Sequence, residues 1–388
     1  MKKKKLTYLF FYFSSLIIST TGILFYSTSP AFSQNNLIEE KRETKHSFSY
    51  PISGLRTTDD VSIVFYDKNL QKLEEQKVSV TKGLMHVRKT KDRIEIITSY
   101  DEKNDLMLTI GKVSKNNTWQ ISNAYLIYNS GNELTDDFDG EKQILNNVYT
   151  DYVSPYHQLC ALTNIDGDDP YSDGYTGGWH TYTDKIDTPT STSEQLELFA
   201  DNKKYGENGT LSASEIKIVT SNLVQGTNTK KRDGTGRPIL HEKIIYTIVG
   251  NKIEVQVEAT ALEPLTLKDY YFLQASTNNY NNGLLVKNDP LFPYEIKDFT
   301  KDIWGSSRRN SRVSQIVLSD AANQLILSVD PSFGIGNYQY NPTNSSWFYR
   351  NYGKVYFNPI SFSEKAPLRM EKGEYFSAKG YYQFIPES

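Results

Sequence analysis

The side chains best suited to chemistry lie between positions 152 and 182, where histidine, aspartate and aromatic residues are concentrated. His157 and His180 are both able to accept or donate a proton near neutral pH. Tyr175 and Trp179 add aromatic faces, and the two glycines before Trp179 let the backbone bend sharply. This pattern predicts a sugar site with a stacking indole and a polar imidazole. The alternative is a loop that packs on a sheet.

The same stretch is rich in carboxylates. Asp166, Asp168 and Asp169 offer the oxygen ligands that calcium prefers. The run does not fit the EF-hand loop, because Pro170 stands at its fifth position and Gly177 at its twelfth. Calcium in another geometry and the absence of any cofactor both stay open. The two histidines lack a third ligand at zinc spacing.

Other clusters carry side chains that suit ligand binding. Arg308 and Arg309 are adjacent and can pair with a carboxylate, such as that of an acidic sugar. The alternative for them is a charged surface turn. The further candidates for carbohydrate binding are Gln274, Asn278, Trp304 and Trp347. No GxSxG or HExxH motif occurs, so the usual serine hydrolase and zinc protease motifs are absent.

The elements that must position these residues are strands. Runs of β-branched and aromatic residues alternate with turn residues, which is typical of an all-β sandwich or barrel. A tight hairpin is expected at Val249–Lys252, and loops are expected at 152–182. The predicted strands are Val61–Tyr66, Lys77–Thr81, Asp92–Thr98, Leu106–Ile110, Trp119–Tyr128, Glu194–Ala200, Glu215–Thr220, Glu242–Val249, Lys252–Ala261, Leu267–Ala275, Val313–Ser319, Gln324–Asp330 and Glu374–Phe384.

Composition narrows the class of protein. The 388 residues are 38% hydrophobic and 23% charged, and the mean hydropathy of −0.55 excludes a multi-span membrane protein. The net charge of −3 argues against sequence-independent nucleic-acid binding, which needs a basic face. The 28 tyrosines suit a polar ligand with a stackable face, although tyrosine is also a good strand residue. Cys160 is the single cysteine, so no intrachain disulfide forms.

The N-terminus predicts export. The basic residues Lys2–Lys5 precede the apolar run Leu6–Tyr26. Small residues then lead up to Ser33, as before a cleavage site, so residues 1–33 resemble a cleaved signal peptide. An uncleaved membrane anchor is the alternative. Both place the remainder outside the cytoplasm, as a secreted or surface protein of a Gram-positive bacterium. Residues 34–49 are expected to form a linker, 50–130 a small β-rich domain and 131–388 a larger one.

The order of strands in the larger block resembles the galactose mutarotase-like supersandwich of aldose epimerases and several polysaccharide lyase domains. The resemblance rests on a long strand at Ile244–Val249, a turn, a second long strand at Ile253–Ala261 and an aromatic strand at Leu267–Gln274. It implies an antiparallel supersandwich preceded by a smaller β-sandwich-like region. Epimerases use two histidines and a carboxylate, for which this sequence offers His157, His180 and either Glu258 or Glu242, in different contexts.

A second resemblance is to an uncharacterised group of bacterial and prophage exoproteins. It rests on Tyr152–His157, the Gly-Asp-Asp turn, Thr176–His180 and Asp233–Arg237.

Three hypotheses about function follow from the whole sequence. The first is a carbohydrate-binding protein that recognises a glycan on a concave sheet. The second is a lyase or epimerase in which His180 or His157 is the base, a tyrosine the acid, and Arg308 or Arg309 neutralises a uronate. The third is a structural or adhesion protein with no small ligand.

Overall fold

The described residues are all β. They are 6–9, 17–18, 24–25, 59–66, 72–80, 83–129, 131, 133–146, 157–171, 174–287, 291, 294–298, 304–306, 313–330, 347–349, 353–360 and 367–386 of a computed structural model. They contain strands and turns and no α-helix, so the all-β prediction is confirmed. Across the same residues there is accordingly no apolar helix of the length needed to cross a membrane.

The described residues form 27 strands. In chain order they are β1 (Leu6–Leu9), β2 (Ile17–Ile18), β3 (Leu24–Phe25), β4 (Asp59–Tyr66), β5 (Lys72–Val80), β6 (Met85–Lys89), β7 (Arg93–Ser99), β8 (Asn104–Val113), β9 (Thr118–Tyr128), β10 (Lys142–Asn146), β11 (His157–Ala161), β12 (Ser191–Ala200), β13 (Lys203–Tyr205), β14 (Gly209–Ala213), β15 (Ile216–Gln225), β16 (Pro238–Val249), β17 (Lys252–Ala261), β18 (Leu265–Ser276), β19 (Asn282–Lys287), β20 (Tyr294–Asp298), β21 (Trp304–Ser306), β22 (Val313–Ser319), β23 (Asn323–Val329), β24 (Trp347–Tyr349), β25 (Lys354–Ile360), β26 (Leu368–Met370) and β27 (Tyr375–Pro386).

The chain divides into two units, Met1–Gly83 and Leu84–Ser388. In the first unit, β4 pairs antiparallel with β5 and parallel with β1, and β2 pairs with β3. The second unit contains three sheets and all the sites described below. The predicted boundaries after residues 33, 49 and 130 stay predictions.

The largest sheet of the second unit has ten strands in the order β13-β12-β15-β16-β17-β27-β23-β22-β19-β20, each antiparallel to its neighbours. The predicted hairpin is confirmed, because Val249 pairs with Lys252 across Gly250, whose φ is +58°. Ile253, Val255 and Val257 alternate along β17 and are fully buried. One face of this sheet is therefore core.

A second sheet, in the order β11-β18-β25-β24-β21 with β26 also on β18, packs on the first. The ring centroids of Tyr270 in β18 and Phe376 in β27 lie 4.7 Å apart, edge to face. The Tyr382 hydroxyl donates to the Gln274 carbonyl at 2.8 Å. The expectation that 152–182 is all loop is wrong at β11, which pairs with β18. This strand has five residues, which is too short for an alternation of apolar and polar residues to be recognised in the sequence.

The third sheet runs β10-β9-β8-β7-β6-β14. Its inner face, including Ile94 and Ile96, shares one apolar core with the other two sheets. Its outer face carries a small apolar cluster of Ile97, Met107, Ile127 and Phe138. The same outer face also carries polar and charged side chains, among them Arg93, Glu95 and Thr109.

Candidate functional site

The turn Thr176–His180 carries two candidate site residues, Trp179 and His180, whose surroundings differ. Gly177 and Gly178 have φ values of +78° and +51°, which glycine adopts without steric cost. The His180 N–H closes the turn by donating to the Gly177 carbonyl at 2.8 Å. The two glycines therefore bend the chain so that Trp179 and His180 follow at the tip of the turn.

Asn116 holds this turn in place through side-chain hydrogen bonds. Its buried amide nitrogen donates to the carbonyls of Gly178 and His180 at 2.6 and 3.1 Å. Its amide oxygen accepts from the N–H groups of Thr190 and Ser191 at 2.8 and 3.2 Å. A buried polar group with all these bonds made favours one backbone conformation. The turn is held rigidly before any ligand arrives.

Trp179 lies at the tip of the turn with 44% of its surface exposed. It borders a cavity of about 410 Å³ on the outer face of the third sheet. The other side chains lining this cavity are mainly polar or charged, and include Arg93, Thr109, Lys112, Asn123, Tyr125 and Lys142. The indole therefore stands at the rim of a polar depression.

An irregularity in the β8–β9 pairing shapes the cavity. Successive strand residues normally face opposite sides of a sheet. Here the register shifts after Thr109, and both Ser122 and Asn123 line the cavity. The Ser122 hydroxyl donates to the Thr109 carbonyl at 3.2 Å. The bulge thus adds polar groups to one wall, as bulges often do beside functional sites.

An ion pair adjoins the cavity through Glu95, which lines it. The Glu95 carboxylate is almost fully buried and accepts from Arg88 Nε at 2.6 Å. Arg88 also donates to both carboxylate oxygens of Asp139, at 2.7 and 2.9 Å. These hydrogen bonds raise the pKa of Arg88 and lower that of Asp139. Arg93 Nε is a more distant neighbour of Glu95, at 3.7 Å.

On the other side of the turn, His180 packs among tyrosines. Its ring centroid is 5.2 Å from that of Tyr175, and the hydroxyls of Tyr175 and Tyr271 are 3.4 Å apart. The rings of Tyr271 and Tyr356 meet edge to face at 4.7 Å. Burial, assisted by the positive charge of Lys354, lowers the pKa of His180 to about 4. The imidazole is therefore neutral at pH 7.

Tyr271 is presented by a distorted part of β18. The register with β25 shifts on both sides of Phe272, and Leu273 has a φ of +49°. A left-handed backbone is unusual for a residue with a Cβ and costs free energy. The distortion places Tyr271 in contact with Tyr175 and Tyr356, away from the core that Tyr270 fills.

The structure places several of the candidate residues from distant parts of the sequence on the second sheet. His157 pairs with Tyr270, and Gln274 pairs with Tyr356. Trp347 also pairs with Tyr356, from β24, and Trp304 is in the adjoining strand β21. The side chains of His157, Trp304 and Trp347 lie outside the described residues, as do Arg308 and Arg309 entirely. Gln274 is buried and Asn278 is exposed in the following turn.

The aspartates chosen as calcium ligands interact with nearby arginines. Asp166 accepts from Arg237 at 3.1 Å, and Asp168 accepts the Arg232 N–H at 2.7 Å. Asp169 is exposed. Among the described residues, no three His, Cys, Asp or Glu side chains are grouped as a metal site requires. Calcium binding by Asp166, Asp168 and Asp169 stays a prediction.

No site is predicted from the sequence at the cavity residues of the third sheet, most of which fall in the small β-rich domain expected at 50–130. Two signals were available. Arg93 and Glu95 alternate with Ile94 and Ile96, which predicts one charged face. Gly111 follows the run Leu106–Ile110 inside a strand, and a glycine at such a position can mark a close approach of ligand.

Neither the family models nor the curated proteins include a match to this chain. Among solved structures, it is similar to galactose 1-epimerase from Lactobacillus acidophilus NCFM, with a TM-score of 0.35 and 11% identity over 79% of this chain and 99% of that chain. A GalM/aldose epimerase homologue from C. elegans gives a TM-score of 0.32 and 10% identity over 76% and 99%.

An α-galactosidase from Geobacillus stearothermophilus gives a TM-score of 0.41 and 8% identity over 78% of this chain. The chain spans 41% of the length of that galactosidase.

Proposed function

We propose that this chain is an exported carbohydrate-binding protein whose ligand occupies the cavity beside Trp179. One observation carries the proposal: a half-exposed indole is held by a rigid turn at the rim of a polar cavity. The apolar face of a sugar ring stacks on an indole, while its hydroxyls need hydrogen-bonding partners. A site that is already ordered loses less conformational entropy on binding.

The walls of the cavity supply these partners. Thr109, Ser122 and Asn123 contribute hydroxyl or amide groups, and Tyr125 adds a second aromatic ring. A volume of about 410 Å³ is within the range of small-ligand sites. The cavity therefore accommodates a short segment of a glycan.

The decisive experiment compares two exposed aromatic residues of the second unit. Trp179→Ala is expected to weaken binding to a retained polysaccharide roughly tenfold, because the stacking surface is lost. Tyr128→Ala serves as the control, since Tyr128 is 70% exposed in β9 and does not line the cavity. Binding is measured by affinity electrophoresis against a panel of neutral and acidic polysaccharides. Unchanged binding by Trp179→Ala, or an equal loss in both variants, would contradict the proposal.

Export is the part of the proposal supported by the N-terminal sequence. The basic residues Lys2–Lys5 and the apolar run Leu6–Tyr26 fit a signal peptide or an anchor. Mass spectrometry of protein from the culture medium is expected to find an N-terminus at Gln34. A product that starts at Met1 and stays with the membrane would instead support the anchor.

A second candidate function is proton-transfer catalysis on a sugar, as in a lyase or epimerase. It is favoured by geometry, because the ring centroids of His180 and Tyr175 lie 5.2 Å apart and bring a proton acceptor close to a phenol. The pKa of about 4 makes His180 a weak base at pH 7. Absorbance of an unsaturated product is the test for the lyase form. Product formed by the wild type and lost in His180→Gln would support it, and no product from any uronate polymer would remove it.

A further inference from the structure

The charged side chains around the cavity are unevenly compensated. Arg93, Lys112 and Lys142 line it as cations, and Asp92 and Glu95 as anions. The Glu95 carboxylate accepts a hydrogen bond from Arg88 Nε at 2.6 Å. Asp92 lies 3.8 Å from Lys112, so these two charges offset each other. Arg93 shares Glu95 with Arg88, and Lys142 interacts with Asp139 only at longer range, so cations outnumber anions around the cavity.

Arg93 and Lys142 are both accessible from the cavity. Arg93 is 55% exposed, and its nearest carboxylate, that of Glu95, is 3.7 Å away and already bonded to Arg88. Among the described residues, no carboxylate lies within 4.0 Å of Lys142 Nζ. Lys142 Nζ lies 6.0 Å from the centroid of the Tyr125 ring. Two cations therefore stand beside an aromatic ring on one wall.

Gly111 leaves room for a ligand next to Arg93. Its φ is outside the left-handed region, so the backbone itself does not require glycine. The three atoms nearest to a Cβ placed there would be the Asp92 carbonyl oxygen, Arg93 Cβ and Ser122 Oγ, at 3.4 to 3.9 Å. These are ordinary contacts, and Gly111 itself lines the cavity. A larger side chain would project into the space that a ligand needs.

We propose that the ligand of this cavity is an acidic glycan, with Trp179 stacking on a sugar ring and Arg93 and Lys142 binding its anionic group. The inference rests on the proposed carbohydrate function and adds the substrate class. The anionic group is a carboxylate, sulfate or phosphate, because each pairs with guanidinium and ammonium groups. Neutral sugars would use the indole and the hydroxyl-lined wall without satisfying the two cations.

The test measures affinity by calorimetry for four probes: oligogalacturonate, its methyl ester, dextran sulfate and dextran. Arg93→Gln and Lys142→Gln are each expected to weaken binding of the preferred acidic probe about tenfold. Their effect on the neutral counterpart is expected to stay within about twofold. Lys203→Gln is the matched control, because Lys203 is an exposed lysine in β13 outside the cavity. The preferred acidic probe identifies whether carboxylate or sulfate is bound.

Two further measurements separate the inference from its premise. Gly111→Val is expected to weaken binding of acidic and neutral probes together, because it fills the cavity without changing charge. Polyglutamate, an anionic chain without sugar, is expected not to bind. Equal affinity for oligogalacturonate and its ester, unchanged by Arg93→Gln, would overturn the acidic specificity and leave carbohydrate binding intact. Binding of polyglutamate that Trp179→Ala does not alter, or no binding of any sugar probe, would overturn both.

Discussion

Trp179 and His180 are consecutive residues of one turn, yet they occupy opposite environments. The indole is half exposed beside a polar cavity, whereas the imidazole packs against Tyr175 and has its pKa lowered to about 4. Both depend on the hydrogen bonds of Asn116. The comparison shows how one hydrogen-bonded turn presents an exposed indole on one side and packs a partly buried imidazole against Tyr175 on the other.

The largest effect is expected from removing the residue that both sides share. Asn116→Ala leaves the buried N–H groups of Thr190 and Ser191 without their acceptor. It also removes one of the two donors to each of the Gly178 and His180 carbonyls. Unfolding free energy should fall by about 3–4 kcal/mol, since each buried unsatisfied group costs about 1–3 kcal/mol. Urea denaturation measures it. Asn117→Gly is the control, because Asn117 is exposed with a φ of +52°; an equal loss there would contradict the shared role of Asn116.

The next prediction concerns pH and the His180 side alone. The pKa of His180 is about 4 in the folded state and about 6.5 when unfolded, so the unfolded chain binds the proton first. The contribution of neutral His180 to the unfolding free energy is therefore fully present above pH 6.5. It is lost as the pH falls towards 4, by up to about 3 kcal/mol. His180→Gln should flatten this part of the stability profile. His241→Gln, at a more exposed histidine, should leave it as in the wild type.

The same His180→Gln variant sharpens the comparison with the cavity. Because His180 does not line the cavity, its loss should change glycan affinity by no more than about twofold at pH 7 when the fold is intact. Titration calorimetry measures the affinity, and circular dichroism checks the fold. A large loss of affinity in a folded variant would move the binding site to the tyrosine cluster.

On the Trp179 side the effect is expected on glycan affinity, with little change in stability. Trp179→Phe keeps an aromatic face and should weaken binding only about threefold, against roughly tenfold for Trp179→Ala. Neither substitution should change the unfolding free energy by more than about 0.5 kcal/mol, since the side chain is half exposed. Parallel binding and thermal denaturation experiments separate the two quantities. If Trp179→Ala lowered the free energy of unfolding by more than it lowered the free energy of binding, the indole would serve in packing and not in binding.

A loss of stability smaller than that at Asn116 is expected at Ser114. Its hydroxyl donates to the Gly178 carbonyl at 2.7 Å, and its own φ is +58°. Ser114→Ala should lower the unfolding free energy by about 1 kcal/mol through loss of this bond. Ser114→Gly should cost less, because glycine adopts the positive φ more easily. Chemical denaturation of both variants checks the order, and the reverse order would show that the bond contributes little.

Most of the fold could be predicted from alternation alone. The strand expected at Lys252–Ala261 has those bounds in the structure, and the strand expected at Asp92–Thr98 is shifted by one residue. The pairing of Gly209–Ala213 with Met85–Lys89 could not be predicted, because it joins segments more than a hundred residues apart. Local pattern determines where strands form, and long-range packing determines which of them are neighbours.

The candidate site was only partly predictable for the same reason. Trp179, His180 and Tyr175 were identified from their types and from the glycines before them. Their opposite orientations depend on Asn116, which is about sixty residues away in the chain. The cavity itself needs the register shift after Thr109 and the open space at Gly111, and neither has a signature in the sequence strong enough to define a site.

The most direct test of carbohydrate binding beside Trp179 is hydroxyl-radical footprinting with and without a saturating bound polysaccharide. Oxidation of Trp179 and Tyr125 is expected to fall by more than half on binding, because both line the cavity. Oxidation of the exposed Tyr128 and Tyr171, which do not line it, is expected to stay unchanged. Full oxidation of Trp179 in the saturated complex, with protection elsewhere, would contradict the assignment of the cavity as the glycan site.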